Sequence, residues 1–266
     1  MGNGEEKKRY KGKVISNIAF GLMGTLVNRG RFPLIYNSDA EEIVGGFDFD
    51  SEKARVRESW GGYGTERQVN QQVAAEYMAR FMREFARANG GLYNQEVLNV
   101  LLKLKEDFSQ LKREHAQERD DKGQSVNPGA GKSHLGYHII TKLPEELETT
   151  FRQRNPEFSG LIERFIGNDD TYRAKKLNEH ILGQARRIGN IFAYVSSKPN
   201  ELEVLGDKLG VHHLVFAGWD LPEFQVQESY QKAEDLQRRF CNHSIRTMDI
   251  ARTPQDLDGI LRGLLL

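Results

Sequence analysis

IGNIFAYVSSKPNELEVLGDKLGVHHLVFAGWDLP, residues 188–222, is the stretch from which the fold is read. Ile191 to Val195 is a short apolar run of β-forming residues that stops at Ser196-Ser197-Lys198-Pro199. Proline suits a first helical position, where the missing N–H would have had no partner. Leu202, Leu205 and Leu209 then share one helical face, and Gly210 offers the residue that closes a helix in a left-handed conformation. Leu214 to Ala217 forms a second apolar run that ends at Gly218. A strand, a short helix and a second strand make a βαβ unit, so the two strands are expected to be parallel. Ligands gather outside the carboxyl ends of parallel strands. Those ends carry Ser196, Ser197 and Lys198, then Trp219 and Asp220, which makes this crevice the first candidate site.

Outward from this unit the periodicity changes twice. Val14 to Phe20 reads as a buried strand and Phe32 to Tyr36 as a second one, with Gly61 to Thr65 as a hinge. Val69, Val73, Tyr77, Phe81 and Phe85 recur at a spacing of four, a helix face. Val97, Leu101, Leu104, Phe108 and Leu111 alternate spacings of four and three, and the two segments read as an antiparallel helical hairpin. Residues 125–136 have loop chemistry, followed by helical patterns at 144–154, 157–166 and 171–187. A helix near 225–240, a strand at 244–250 and a helix capped by Thr253-Pro254 close the chain. The expected fold is α/β, a three-layer Rossmann-like parallel sheet with a large helical insertion. Residues 1–65 and 188–266 would form the core domain, and 66–187 an all-helical, cap-like insertion outside the sheet.

Composition narrows the function classes. The chain has 266 residues, with 38 basic and 38 acidic side chains, so it lacks the basic excess that nucleic-acid binding uses. No apolar stretch has the length of a membrane span, and the charged start MGNGEEKKRYKGK has no signal-peptide core. Gly2 invites myristoylation, but the sixth residue is Glu6 rather than Ser or Thr. The single cysteine, Cys241, fits a reducing compartment, and a cytoplasmic location is expected.

AFGLMGTLV, Ala19 to Val27, resembles the first motif of the haloacid dehalogenase-like superfamily, an apolar strand followed by FDxDGTLV. AYVSSKPNELEVLGDKLGV resembles that family's second motif, and Thr247 to Leu261 resembles its acidic fourth motif, with Asp249 as a metal carboxylate. A helical cap after the first motif is also a family habit. The resemblance implies a phosphorylated small molecule as ligand, with Thr25, Ser197 and Lys198 on its phosphate. In an active member, an aspartyl nucleophile, an acid–base aspartate and Mg²⁺ carry phosphate hydrolysis. Gly21 and Met23 stand at the two aspartate positions. Neither can form an aspartyl phosphate or ligate a hard cation. The leading expectation is therefore a phosphate-binding relative whose catalytic motif has decayed, with Mg²⁺ needed only if activity survives.

Other readings stand beside this one. Asp48 and Asp50 in FDFDS would share one side of a strand and form a second candidate for nucleophile, acid and metal ligands. Gly129-Ala-Gly-Lys-Ser133 has the ending of a phosphate-binding loop, which would suit a nucleotide kinase if a helix begins at Ser133. Its upstream glycine position is Val126. His134 and His138 would share a helix face but lack the glutamate of a zinc-peptidase motif, and His212 and His213 open a strand, where packing is the default role. The third reading is a non-enzymatic protein that binds a protein partner, or itself, through the helices at 66–118.

Overall fold

The computed structural model describes residues 15–22, 24–27, 34–37, 41–44, 49–66, 68–70, 72–73, 76, 93–119, 122–126, 133–144, 147–154, 156–168, 177–221, 223–243 and 246–266. Its frame is a six-stranded sheet in which every pairing is parallel. The strands are β1 (Ile15–Gly21), β4 (His134–Pro144), β5 (Ile162–Asn168), β6 (Ala193–Ser196), β7 (His213–Ala217) and β8 (Thr247–Ala251), in the order β5-β4-β1-β6-β7-β8. The chain winds outward from β1 through β4 to β5, then crosses back to β6 and winds outward the other way. This is the doubly wound, Rossmann-like arrangement, and the order reverses between β1 and β6. A separate two-stranded antiparallel pair joins β2 (Leu34–Asn37) and β3 (Glu41–Val44).

Helices cover both faces. One face packs under α1 (Phe49–Ser59), α2 (Gln95–Gln117), α3 (Leu147–Arg154), α4 (Pro156–Leu161) and α8 (Pro254–Leu265), around Phe20, Leu26, Leu101, Tyr137, Phe151 and Leu257. The other packs under α5 (Leu177–Ile188), α6 (Pro199–Leu209) and α7 (Val226–His243), around Ala19, Ile181, Tyr194, Leu205 and Phe216. Burial on both faces explains why β6 and β7 read as unbroken apolar runs rather than alternating ones. The βαβ unit forms as the sequence predicts, with β6 and β7 in parallel register and Gly210 closing α6 at φ 64°. Thr253 and Asp256 complete a reciprocal capping box at the start of α8.

The expected all-helical segment 66–187 is corrected at two places. Residues 134–144 form β4, which lies beside β1 in the main sheet rather than continuing a loop. Leu135, Tyr137 and Ile139 face one core while Ile140 faces the other, which a single-face periodicity does not reveal. The helix expected over 157–166 stops at Leu161, and β5 follows. Pairing with β4 shifts between Tyr137 and His138, so Glu163 is the additional residue of a bulge. That bulge leaves Ile162, Phe165 and Ile166 buried, an i, i+3, i+4 spacing that imitates a helix face. Of the expected hairpin, Val69 and Val73 are buried helical residues, and 77–92 lie outside the described residues. The seam of α2 (Val97, Leu101, Leu104 and Phe108) is turned into the core, and Tyr137 Oη donates to Leu101 O at 3.1 Å. This seam is thus used internally rather than offered to a partner. No described helix is long and apolar enough to cross a membrane.

Two histidines tie stability to pH. Burial lowers the imidazoles of His138 and His213 below the usual range; Glu163 opposes this at His138, and Arg164 and His134 add to it. The unfolded chain then holds more protons than the folded one between these lowered values and the ordinary histidine pKa of about 6.5. Stability is fully present above that ordinary value and falls as pH drops through the window. The melting temperature is expected to rise as the pH is brought up toward the ordinary histidine value of about 6.5, and His138→Gln is expected to flatten part of that slope. A melting temperature flat below that value would contradict the lowered imidazoles.

Candidate functional site

The crevice where strand order reverses is built from the ends of β1 and β6. After Gly21 the chain turns back on itself: Leu26 N and Val27 N both donate to Leu22 O, and Gly24 N donates to Val27 O. Gly24 holds φ 73°, a conformation that glycine adopts without penalty. The turn places Thr25 beside the end of β6, where its Oγ1 accepts from Ser197 N at 3.2 Å. Thr25 and Ser197 are both buried, so this contact ties the two strand ends together from inside. Lys198 is the N-cap residue of α6, with no side-chain hydrogen bond capping that helix and Pro199 in its first turn.

One residue of the site was not legible as such. Glu201, in the first turn of α6, is only 5% exposed. Its Oε2 accepts from Tyr194 Oη and from Ser196 Oγ, both at 2.8 Å, and its Oε1 lies 3.9 Å from Lys198 Nζ. Ser196 Oγ in turn accepts from Lys198 N at 3.1 Å. Burial, then the Glu201 charge, pushes the Tyr194 phenol well above its ordinary value, so it stays a donor. The sequence signal available was a glutamate three residues after the strand-end lysine, a spacing that puts both on one side of a first turn.

This network occupies the space in front of Gly21. A Cβ placed on Gly21 would stand 3.0 Å from Ser196 Oγ and 3.6 Å from Glu201 Oε2. The position at which the family pattern carries its nucleophile therefore has no carboxylate and little room for one. Met23 lies outside the described residues.

The remaining predicted residues are distributed as follows. Trp219 and Asp220 form the turn after β7, the next strand end, where Gly218 N donates to Ala251 O. Trp219 packs on the α2–α8 side, and its buried Nε1 has no hydrogen-bond partner among the described residues. Tyr230 braces this turn, donating to Gly218 O at 3.1 Å. Asp249 lies on β8, three strands from β1, hence about 14 Å away at the usual inter-strand spacing. It lines a polar cleft of about 830 Å³ with Arg238, Arg252 and Gln255, and burial raises its carboxyl. Asp249 is thus not gathered with the β1 end. Asp50 is an exposed residue of the first turn of α1, not of a strand, and Asp48 lies outside the described residues. A carboxylate in a helical first turn is accounted for by the helix dipole. The donors described at the β1 end do not make the oxygen set that Mg²⁺ requires.

Residues 127–132 of the candidate phosphate loop lie outside the described residues, and His134 after Ser133 begins a strand. The helix that a phosphate-binding loop needs at that point is absent, which removes the structural basis for the kinase reading. His134 and His138 share a strand face rather than a helix face. His212 and His213 sit at the amino end of β7, opposite the crevice. His213 Nδ1 lies 2.7 Å from Thr247 Oγ1, and its ring packs on Phe192. Cys241 is exposed.

No family model and no curated protein matches the sequence. Among solved structures, the chain is similar to a dehalogenase whose crystal structure was analysed with an intermediate complex, at 11% identity and a TM-score of 0.45, over 93% of this chain and 97% of that one. It is also similar, at 12% identity and a TM-score of 0.46, over 93% of its length and 98% of theirs, to a haloacid dehalogenase-like family hydrolase from Streptococcus pneumoniae.

Proposed function

We propose that this protein binds a phosphorylated small molecule in the crevice between the carboxyl ends of β1 and β6 and does not hydrolyse it. The observation that carries this reading is the exchange at the end of β1. Gly21 supplies no nucleophile, and the buried Glu201–Ser196–Tyr194 network fills the space a nucleophile would use. Support for the ligand comes from position and chemistry: the crevice lies at the order reversal, and α6 starts there without a side-chain cap. A helix start favours an anion through its N–H groups and dipole. Lys198 stands at the same point, its charge shared with Glu201. Mg²⁺ has no role in this reading.

The test is thermal. Inorganic phosphate at ten times its dissociation constant should stabilise the protein by about 1.4 kcal/mol, a shift of about 3–5 °C. Ser197→Ala combined with Lys198→Ala should remove it. Hydrolysis of an aryl phosphate should be undetectable with or without Mg²⁺, and Asp48→Asn should change nothing. A wild type unmoved by millimolar phosphate, or one that turns the ester over, overturns the proposal.

A further inference from the structure

A second polar cluster lies at the opposite end of the sheet, on the face covered by α5. Asn17 of β1 and His134, Gly136 and His138 of β4 project to this face, since residues two apart in a strand point the same way. The bulge in β5 turns Glu163 toward them. His134 Nε2 lies 2.8 Å from Glu163 Oε1, and His138 Nε2 lies 3.2 Å from Asn17 Oδ1. A Cβ on Gly136 would meet Glu163 Oε2 at 2.8 Å, His138 Nε2 at 3.0 Å and Asn17 Oδ1 at 3.1 Å. One nitrogen and two oxygens therefore converge above Gly136, where any side chain would crowd all three. His138 is 4% exposed and its Nδ1 has no partner among the described residues. The side chains of His134 and Glu163 are half and one-third exposed, which leaves a way in from solvent.

Fastening the end of α5 explains part of this cluster. Asn17 Nδ2 donates to Asn190 O at 3.0 Å, and Arg164 Nη1 donates to Arg187 O at 2.7 Å. It does not explain two histidines, a bulged glutamate and an open glycine. We propose that the cluster binds a first-row divalent transition-metal cation through His138 Nε2, the Glu163 carboxylate and Asn17 Oδ1, with His134 holding the second oxygen of Glu163. Mixed imidazole and carboxylate donors suit Zn²⁺ or Co²⁺, whereas Mg²⁺ seeks oxygens alone. Among the described residues no three His, Cys, Asp or Glu side chains form a ligand group by themselves; the third ligand here is an amide oxygen. A histidine that supports a ligating carboxylate is a common outer partner in metal sites. Ligation through Nε2 needs the neutral His138 ring protonated at Nδ1, and protonation of Nε2 competes with the cation in acid. The cluster lies about 13 Å along β1 from Gly21, four residues at the strand rise, and is independent of the phosphate reading.

The experiment uses the full chain carrying Cys241→Ser, which removes the exposed thiol as a competing zinc ligand. After treatment with a chelator, calorimetric titration with Zn²⁺ should show one equivalent bound at micromolar concentration. Co²⁺ should give a visible absorption band, and Mg²⁺ should give no heat. Glu163→Gln, at a partly exposed position that preserves the fold, should weaken Zn²⁺ binding about tenfold or more. Gly136→Ala should abolish it, because the new methyl crowds all three donors. No binding by the parent chain, or an affinity unchanged by Glu163→Gln, overturns the proposal even if Gly136→Ala fails to fold.

Discussion

Gly21→Asp, which places a carboxylate where the resembled first motif has its aspartate, is expected to lower the unfolding free energy by about 3 kcal/mol and to yield no phosphatase. The carboxylate would enter a buried space already held by Ser196 Oγ at 3.0 Å and the Glu201 carboxylate at 3.6 Å from its Cβ. Forcing extra atoms into a packed interior costs about 1–3 kcal/mol. A second buried negative charge without a partner of its own adds to that. For a chain of this length the melting temperature should drop by roughly 6–12 °C. Adding Glu201→Gln removes the like charge and should recover part of the loss, because the two sites share one set of neighbours. Thermal melts of the wild type, the single variants and the double variant read this out directly. A Gly21→Asp protein of wild-type stability that hydrolyses aryl phosphate with Mg²⁺ would show that the crevice is still a working catalytic cradle.

Removing Glu201 is the second large effect. Glu201→Ala should cost about 3 kcal/mol, since it strips Tyr194 Oη and Ser196 Oγ of their shared acceptor inside the protein. Tyr194 is fully buried, so water does not replace the lost acceptor in the folded chain. Tyr194→Phe in the Glu201→Leu background should regain much of the loss, because an apolar pair leaves fewer buried groups unpaired. Glu201→Gln, which still offers an oxygen to both hydroxyls, should cost about 1 kcal/mol. Urea unfolding at neutral pH measures all four. A loss below about 1 kcal/mol for Glu201→Ala would mean that water or another group replaces the carboxylate. The same variants bear on ligand binding: with Glu201 neutral, Lys198 keeps more of its charge for an anion, and the phosphate-induced shift should grow.

Local rules decided much of this protein from the sequence. The run into Ser196, the proline at the start of α6, the leucine face and Gly210 each act over a few residues, so the βαβ unit and its strand-end crevice were readable. Thr253, Pro254 and Asp256 likewise specify the last helix through its cap. The absence of a carboxylate at Gly21 is a plain property of the sequence. What the sequence did not decide depends on partners far away in the chain. β4 is a strand because β1 and β5 flank it, 119 positions separating the paired Ile15 and His134. β5 carries a helical spacing because a bulge at Glu163 interrupts its alternation, and a bulge is defined by the facing strand. Asp50 reads as half of a strand pair until its own helix is formed. Glu201 becomes part of the crevice, and Asn17, His138 and Glu163 become one cluster, only when sheet register brings them within hydrogen-bonding distance. Short-range backbone preference is written residue by residue, whereas register and burial belong to pairs of segments, and those pairs exist only in the folded chain.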